Sequence, residues 1–153
     1  MMKGILRFKS GQFGVLLMLP LILSLIWVPE AQATFAGCTP GYWKQEHHFD
    51  SWVATGLDPY DSFEDVFGVT LPDGDVFLIE ALWARGGGIN RLLRHATAAL
   101  LNSRHPDLAG LFWDEGSVIT VVQAAIGFGT RRMYNLAAGL LEEANESDRC
   151  PLD

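Results

Sequence analysis

Between Lys44 and Asp50 the chain gathers Lys44, Glu46, His47, His48 and Asp50, a base, two acids and two imidazoles within seven positions. Metal chemistry needs two or three such groups to converge. On a helix, His47 and Asp50 at i, i+3 share a face and can hold an ion with a distant ligand such as His95 or His105. A metal-assisted hydrolase using His47, Asp50 and His95 is one reading of this pattern. No H-E-x-x-H ligand spacing is present, however. Adjacent histidines also point about 100° apart on a helix, so His47 and His48 do not both serve one ion. Solvated or hydrogen-bonded side chains are the simpler expectation.

His95 follows Arg91 by four residues and precedes Asn102 by seven, which makes a polar stripe beside the apolar one. There it is either a general base oriented by a carboxylate or a structural imidazole bonded to the opening segment or a loop carbonyl. Asn102 reads as a cap for the chain leaving the helix. Asp58, Asp61, Glu64, Asp65, Asp73 and Asp75 crowd one loop, a composition that suits calcium outside the cell but lacks the twelve-position pattern of an EF-hand. Gly86-Gly87-Gly88 lacks the Gly-Lys-Ser/Thr ending of a phosphate loop and reads as a helix stop. Trp43, Trp52, Trp83 and Trp113, with Tyr42 and Tyr60, either stack on sugar rings or pack the core. There is no Gly-x-Ser-x-Gly elbow.

The elements that must position these residues are mostly helices. Tyr42 to Trp52 fits a short helix with Trp43 and His47 on one stripe. Gly56 to Asp75 reads as an irregular loop with a helical turn at Ser62–Phe67. Asp75 can cap a helix over Val76–Arg85. Ile89 to Ser103 is the clearest helix, with Ile89, Leu92, Leu93, Ala96, Ala99 and Leu100 in phase and Pro106 as a stop. Leu101 and Ala98 fall off that stripe, which predicts burial on more than one side. Ser117 to Ile126 mixes β-branched residues with alanines, and its length favours helix. Thr130 then caps a last helix to Asn145, with Met133, Leu136, Ala137, Leu140 and Ala144 toward the core. The expected fold is a small single-domain bundle of four to five helices.

The first 33 residues have a different character. Lys3, Arg7 and Lys9 precede a largely apolar run from Phe13 to Val28, and Ala31-Gln32-Ala33 supplies a small-x-small cleavage pattern. That order is a secretory signal peptide, which predicts export of residues 34–153 to the periplasm or the exterior, with no membrane attachment after cleavage. Without residues 1–33 the net charge changes from −7 to −9. Such acidity argues against nucleic acid as a partner. Cys38 and Cys150 are the only cysteines. In an oxidising compartment two cysteines of a small domain pair, here across 112 positions. Phe35-Ala36-Gly37-Cys38 also approximates a lipoprotein acceptor, although Phe35 stands where an aliphatic residue is usual.

Gly37-Cys38-Thr39-Pro40-Gly41-Tyr42-Trp43-Lys44, the stretch Leu93-Arg94-His95-Ala96-Thr97-Ala98-Ala99-Leu100-Leu101-Asn102, and the ending Cys150-Pro151-Leu152 resemble the start, central helix and close of an uncharacterised module found in bacterial exported proteins. The resemblance implies export and architecture, and no chemistry. Together these readings predict a disulfide-closed binding or structural module without catalysis or a resident cofactor, whose partner is an extracellular protein or a glycan. Trp43, Lys44, His47, Trp52, Arg94, His95 and Asn102 are its candidate binding or polar-core residues.

Overall fold

The computed structural model describes residues 37–109, 113–146 and 150–152, all within one unit of the chain, Thr34–Asp153. The expected signal peptide lies outside the described residues. Among the described residues the fold is mainly helical, with no strand and one isolated bridge between Ser62 and Phe77. Its helices are α1 (Pro40–Trp43), α2 (Phe49–Thr55), α3 (Phe63–Phe67), α4 (Leu78–Trp83), α5 (Ile89–Arg104), α6 (Glu115–Phe128) and α7 (Arg131–Asn145), with a 3-10 turn at Glu46–His48. The excess over the expected four to five lies in short pieces at the start of the domain. Cys38 and Cys150 form a disulfide with their Cα atoms 4.5 Å apart, so pairing rather than acylation is the state of Cys38.

α5 is the axis. It packs against α1, α2, α4, α6 and, most extensively, α7. Every residue from His95 to Asn102 is buried, as expected for a helix with apolar residues on more than one side. Around it lie Trp43, Trp52, Phe63, Phe67, Leu78, Leu82, Val118, Val122 and Leu141. Removing a side chain of this size from water is worth roughly 1.5–3 kcal/mol, so these residues supply much of the drive to fold.

Side-chain N-caps start α3, α6 and α7, of which Thr130 is the one expected from the sequence. Ser62 accepts from the Asp65 N–H at 3.0 Å, Asp114 from Ser117 at 2.9 Å and Thr130 from Met133 at 3.3 Å, each filling an orphan donor of the first turn. Asp75 differs from expectation. Its carboxylate accepts from Ser62 Oγ at 2.6 Å, Glu64 N–H at 3.0 Å and Val76 N–H at 2.9 Å. It therefore braces the start of α3 rather than heading its own helix. α4 begins at Leu78, where Glu80 reaches back to the Phe77 N–H at 2.9 Å.

Two faces also differ. A continuous helix over Tyr42–Trp52 is interrupted because Gln45 is extended (φ −82°, ψ 129°), so Trp43 and His47 lose their common stripe. In α7, Leu136 and Leu140 are 57% and 45% exposed, while Ala137, Ala138, Leu141, Ala144 and Asn145 are buried. The helix is turned by about one residue from the leucine-based phase. Burying alanines lets α7 approach α5 closely, and it carries the polar Asn145 inward.

Candidate functional site

The polar centre of the domain is Asn102. Its Oδ1 accepts from the Cys38 N–H and from Trp43 Nε1, both at 3.0 Å, and its Nδ2 donates to the Cys38 carbonyl at 3.0 Å and to Asn145 Oδ1 at 2.9 Å. All four of its side-chain hydrogen-bonding positions are filled. Asn145 Nδ2 continues the chain to the His95 carbonyl at 2.9 Å, and Trp52 Nε1 donates to the Trp43 carbonyl at 3.0 Å. The expected capping role for Asn102 is thus replaced by an internal junction of the opening segment, α5 and the end of α7. Gly37 belongs to the same junction: a Cβ there would lie 2.5 Å from the Ala144 carbonyl oxygen.

Two to three turns of α5 before that junction, the polar stripe faces α7. Arg91 is hydrogen-bonded to Glu142, and His95 Nε2 lies 3.4 Å from Glu142 Oε1. The His95 residue is 3% exposed and its Nδ1 is buried without a hydrogen-bond partner. Burial pushes the imidazole pKa down to about 4. Glu142 opposes that shift, while Arg94 and Arg91 add to it. His95 is therefore neutral at pH 7, with a lone pair available to an acid or an ion. The carboxylate partner, invisible as such in the sequence, comes from Glu142, at the α7 end that opposes the helix dipole. That mismatch was its one sequence signal. Arg91 supplies the compensating charge.

The remaining candidates are dispersed. Trp43 and Trp52 are buried. Lys44 Nζ sits 4.5 Å above the ring of Trp83, a cation–π contact on the surface. Arg94 Nη1 donates to the Ala84 carbonyl at 2.5 Å and closes the end of α4. His47 and Asp50 are exposed, and His47 lies against His48 with ring centroids 4.1 Å apart. Among the described residues, the group of three ligand-type side chains within reach of one ion is His95, Glu142 and Glu146, and it includes neither His47 nor Asp50. The crowded loop acids bind backbone instead: Glu64 accepts from Leu71 N–H at 2.6 Å, and Asp58 from Tyr60 N–H at 2.9 Å.

Of the tryptophans among the described residues, Trp83 is the exposed one, at 51%. The space between Gly37, Ala99, Ser103, Leu108 and Trp113 measures about 10 Å³, at the lower limit of room for a single water. Comparison with known families, curated proteins and solved structures finds no match to this chain.

Proposed function

We propose that this chain is an exported, disulfide-closed helical module that works by binding outside the cytoplasm, at its surface rather than in an interior cleft. The observation that carries this reading is the Asn102 junction. There Asn102, one of the binding or polar-core candidates the sequence offers, holds both backbone polar groups of Cys38, and Trp43 Nε1 donates to the same Asn102 Oδ1. A disulfide so anchored suits an oxidising compartment. The signal-peptide pattern of residues 1–33 and the likeness to exported modules support the same destination. With Trp43 and Trp52 enclosed, a protein partner is favoured over a glycan platform built on those rings.

A second reading, metal-assisted hydrolysis, is favoured by the buried His95 facing Glu142. Two experiments separate and test these readings. Fractionation of cells expressing the full chain should yield an extracytoplasmic protein beginning at Thr34, two hydrogens lighter than its reduced form. An unprocessed, reduced chain in the cytoplasm overturns export. Zn2+-loaded protein should leave chromogenic ester, phosphoester and peptide substrates intact. Turnover that disappears in His95→Gln replaces the binding reading with the hydrolase.

A further inference from the structure

Glu142 and Glu146 are one helical turn apart at the end of α7. The Glu146 N–H donates to the Glu142 carbonyl at 2.9 Å, so the last turn stays helical and presents both carboxylates on one face. From α5, His95 enters the same space. Its register is fixed by the Asn145 bond to its own carbonyl, 2.9 Å long, which aligns the two helices one turn away from the imidazole.

One ligand atom from each of these three residues lies within 4.8 Å of the others. Donors around a single ion sit about 2.0–2.2 Å from it, so modest closing of the two carboxylates brings them into one coordination sphere. The imidazole is the independent sign of a ligand. It is 3% exposed, Nδ1 has no hydrogen-bond partner, and Nε2 points at Glu142 from 3.4 Å. Burying a polar ring on such terms costs free energy, and an ion at Nε2 offsets part of it by replacing the 3.4 Å contact to Glu142 with a coordinate bond, while Nδ1 stays unpartnered.

The donor set selects the kind of ion. Calcium takes six to eight oxygens, whereas one imidazole and two carboxylates suit a borderline transition metal. Arg91 binds Glu142 and offsets one of the two negative charges, which also disfavours a hard cation held by charge alone. We propose that His95, Glu142 and Glu146 bind one divalent transition-metal ion, with its remaining coordination positions open to solvent beside Glu146. The site belongs to the folded domain, whether or not the chain is exported and whether or not it turns over a substrate.

Chelator-stripped protein is titrated with Zn2+ by calorimetry and with Co2+ by visible absorption. The expected result is one equivalent of each, with the d–d bands of a low-coordinate Co2+ site. Glu146→Gln weakens Zn2+ at least tenfold. Glu146 is the exposed C-cap of α7 and Gln keeps its size and its backbone bond to Glu142, so this variant folds. His95→Gln abolishes the Co2+ bands. The double variant H47Q/H48Q leaves the titration unchanged, since those imidazoles lie outside the group. Absence of stoichiometric binding overturns the site. So does binding that survives Glu146→Gln and His95→Gln, or binding lost in H47Q/H48Q.

Discussion

Asn102 holds Cys38 by both of its backbone polar groups, accepting from the N–H and donating to the carbonyl at 3.0 Å each. The pairing is the kind a neighbouring strand makes, supplied here by one side chain from the middle of a helix bundle. It satisfies the backbone at the point where the disulfide ties the chain's opening to its end, where no regular element is present to do so.

Replacing Asn102 by Ala removes the partner of the Cys38 N–H, the Cys38 carbonyl, Trp43 Nε1 and Asn145 Oδ1 at once. Each orphaned buried group costs roughly 1–3 kcal/mol. Partial hydration of the gap recovers some of this, so the expected loss is at least about 3 kcal/mol. Urea unfolding of the oxidised protein measures it. A midpoint within error of the wild type would show that the junction contributes nothing to stability.

Helix positions were legible in this sequence because they rest on local signals. Thr130 caps where its side chain can reach the third residue on, a helical turn starts at Ser62, and the apolar run from Ile89 to Leu100 keeps its period for three turns. What escaped depends on distant partners. Asp75 precedes an apolar run and reads as its cap, yet the nearest orphan donors belong to α3, brought alongside by the bridge between Ser62 and Phe77. The phase of α7 is ambiguous in the same way: Leu136 and Leu140 fit one apolar stripe, Leu141 and the alanines another. The choice is made by Asn145, whose buried bonds to Asn102 and the His95 carbonyl exist only in the folded chain. The candidate site was half legible. Spacing placed Arg91, His95 and Asn102 on one stripe, but only the packing of α7 shows that Glu142 meets it.

Glycine replacements should split by position. Gly139 lies inside α7, and a methyl group added there would meet nothing within 4 Å. Gly139→Ala should therefore stabilise by about 0.5–1 kcal/mol through helix propensity. Gly37→Ala places its methyl 2.5 Å from the Ala144 carbonyl oxygen. Backbone must move apart next to Asn145, at a cost of about 1–3 kcal/mol. Thermal melts of the two variants should shift in opposite directions, and a shared direction would refute the close approach of the opening segment to α7.

Asp75 gives a pH signature. Slight burial works against its charge, but hydrogen bonds from Ser62, Glu64 and Val76 prevail and hold its pKa below 3.8. A carboxyl with a depressed folded pKa contributes stability above the unfolded value, and loses it as pH falls through the folded one. Asp75→Asn keeps the shape and removes the charge, and should cost about 1 kcal/mol at pH 7, the scale of a helix cap. The gap between variant and wild type should stay level down to about pH 4 and narrow below it. A gap that widens on acidification would mean the carboxylate is strained rather than satisfied.

The disulfide and Asn102 act on the same residue, and their energies should not add. Cys38 and Cys150 are 112 positions apart, a closure that chain entropy values at about 4.7 kcal/mol for a loop on the order of 100 residues. The double replacement C38A/C150A keeps the backbone groups that Asn102 binds, so its own cost should approach that figure. Once the bridge is gone, however, the opening segment can leave α5 by local opening, and the Asn102 bonds are then among the first broken. Asn102→Ala should therefore cost less in the C38A/C150A background than in the oxidised wild type, with a coupling of about 0.5–3 kcal/mol. A four-member cycle of urea midpoints measures the coupling directly. Strict additivity would mean that the staple and the amide stabilise different parts of the domain, and that Asn102 does not anchor the disulfide.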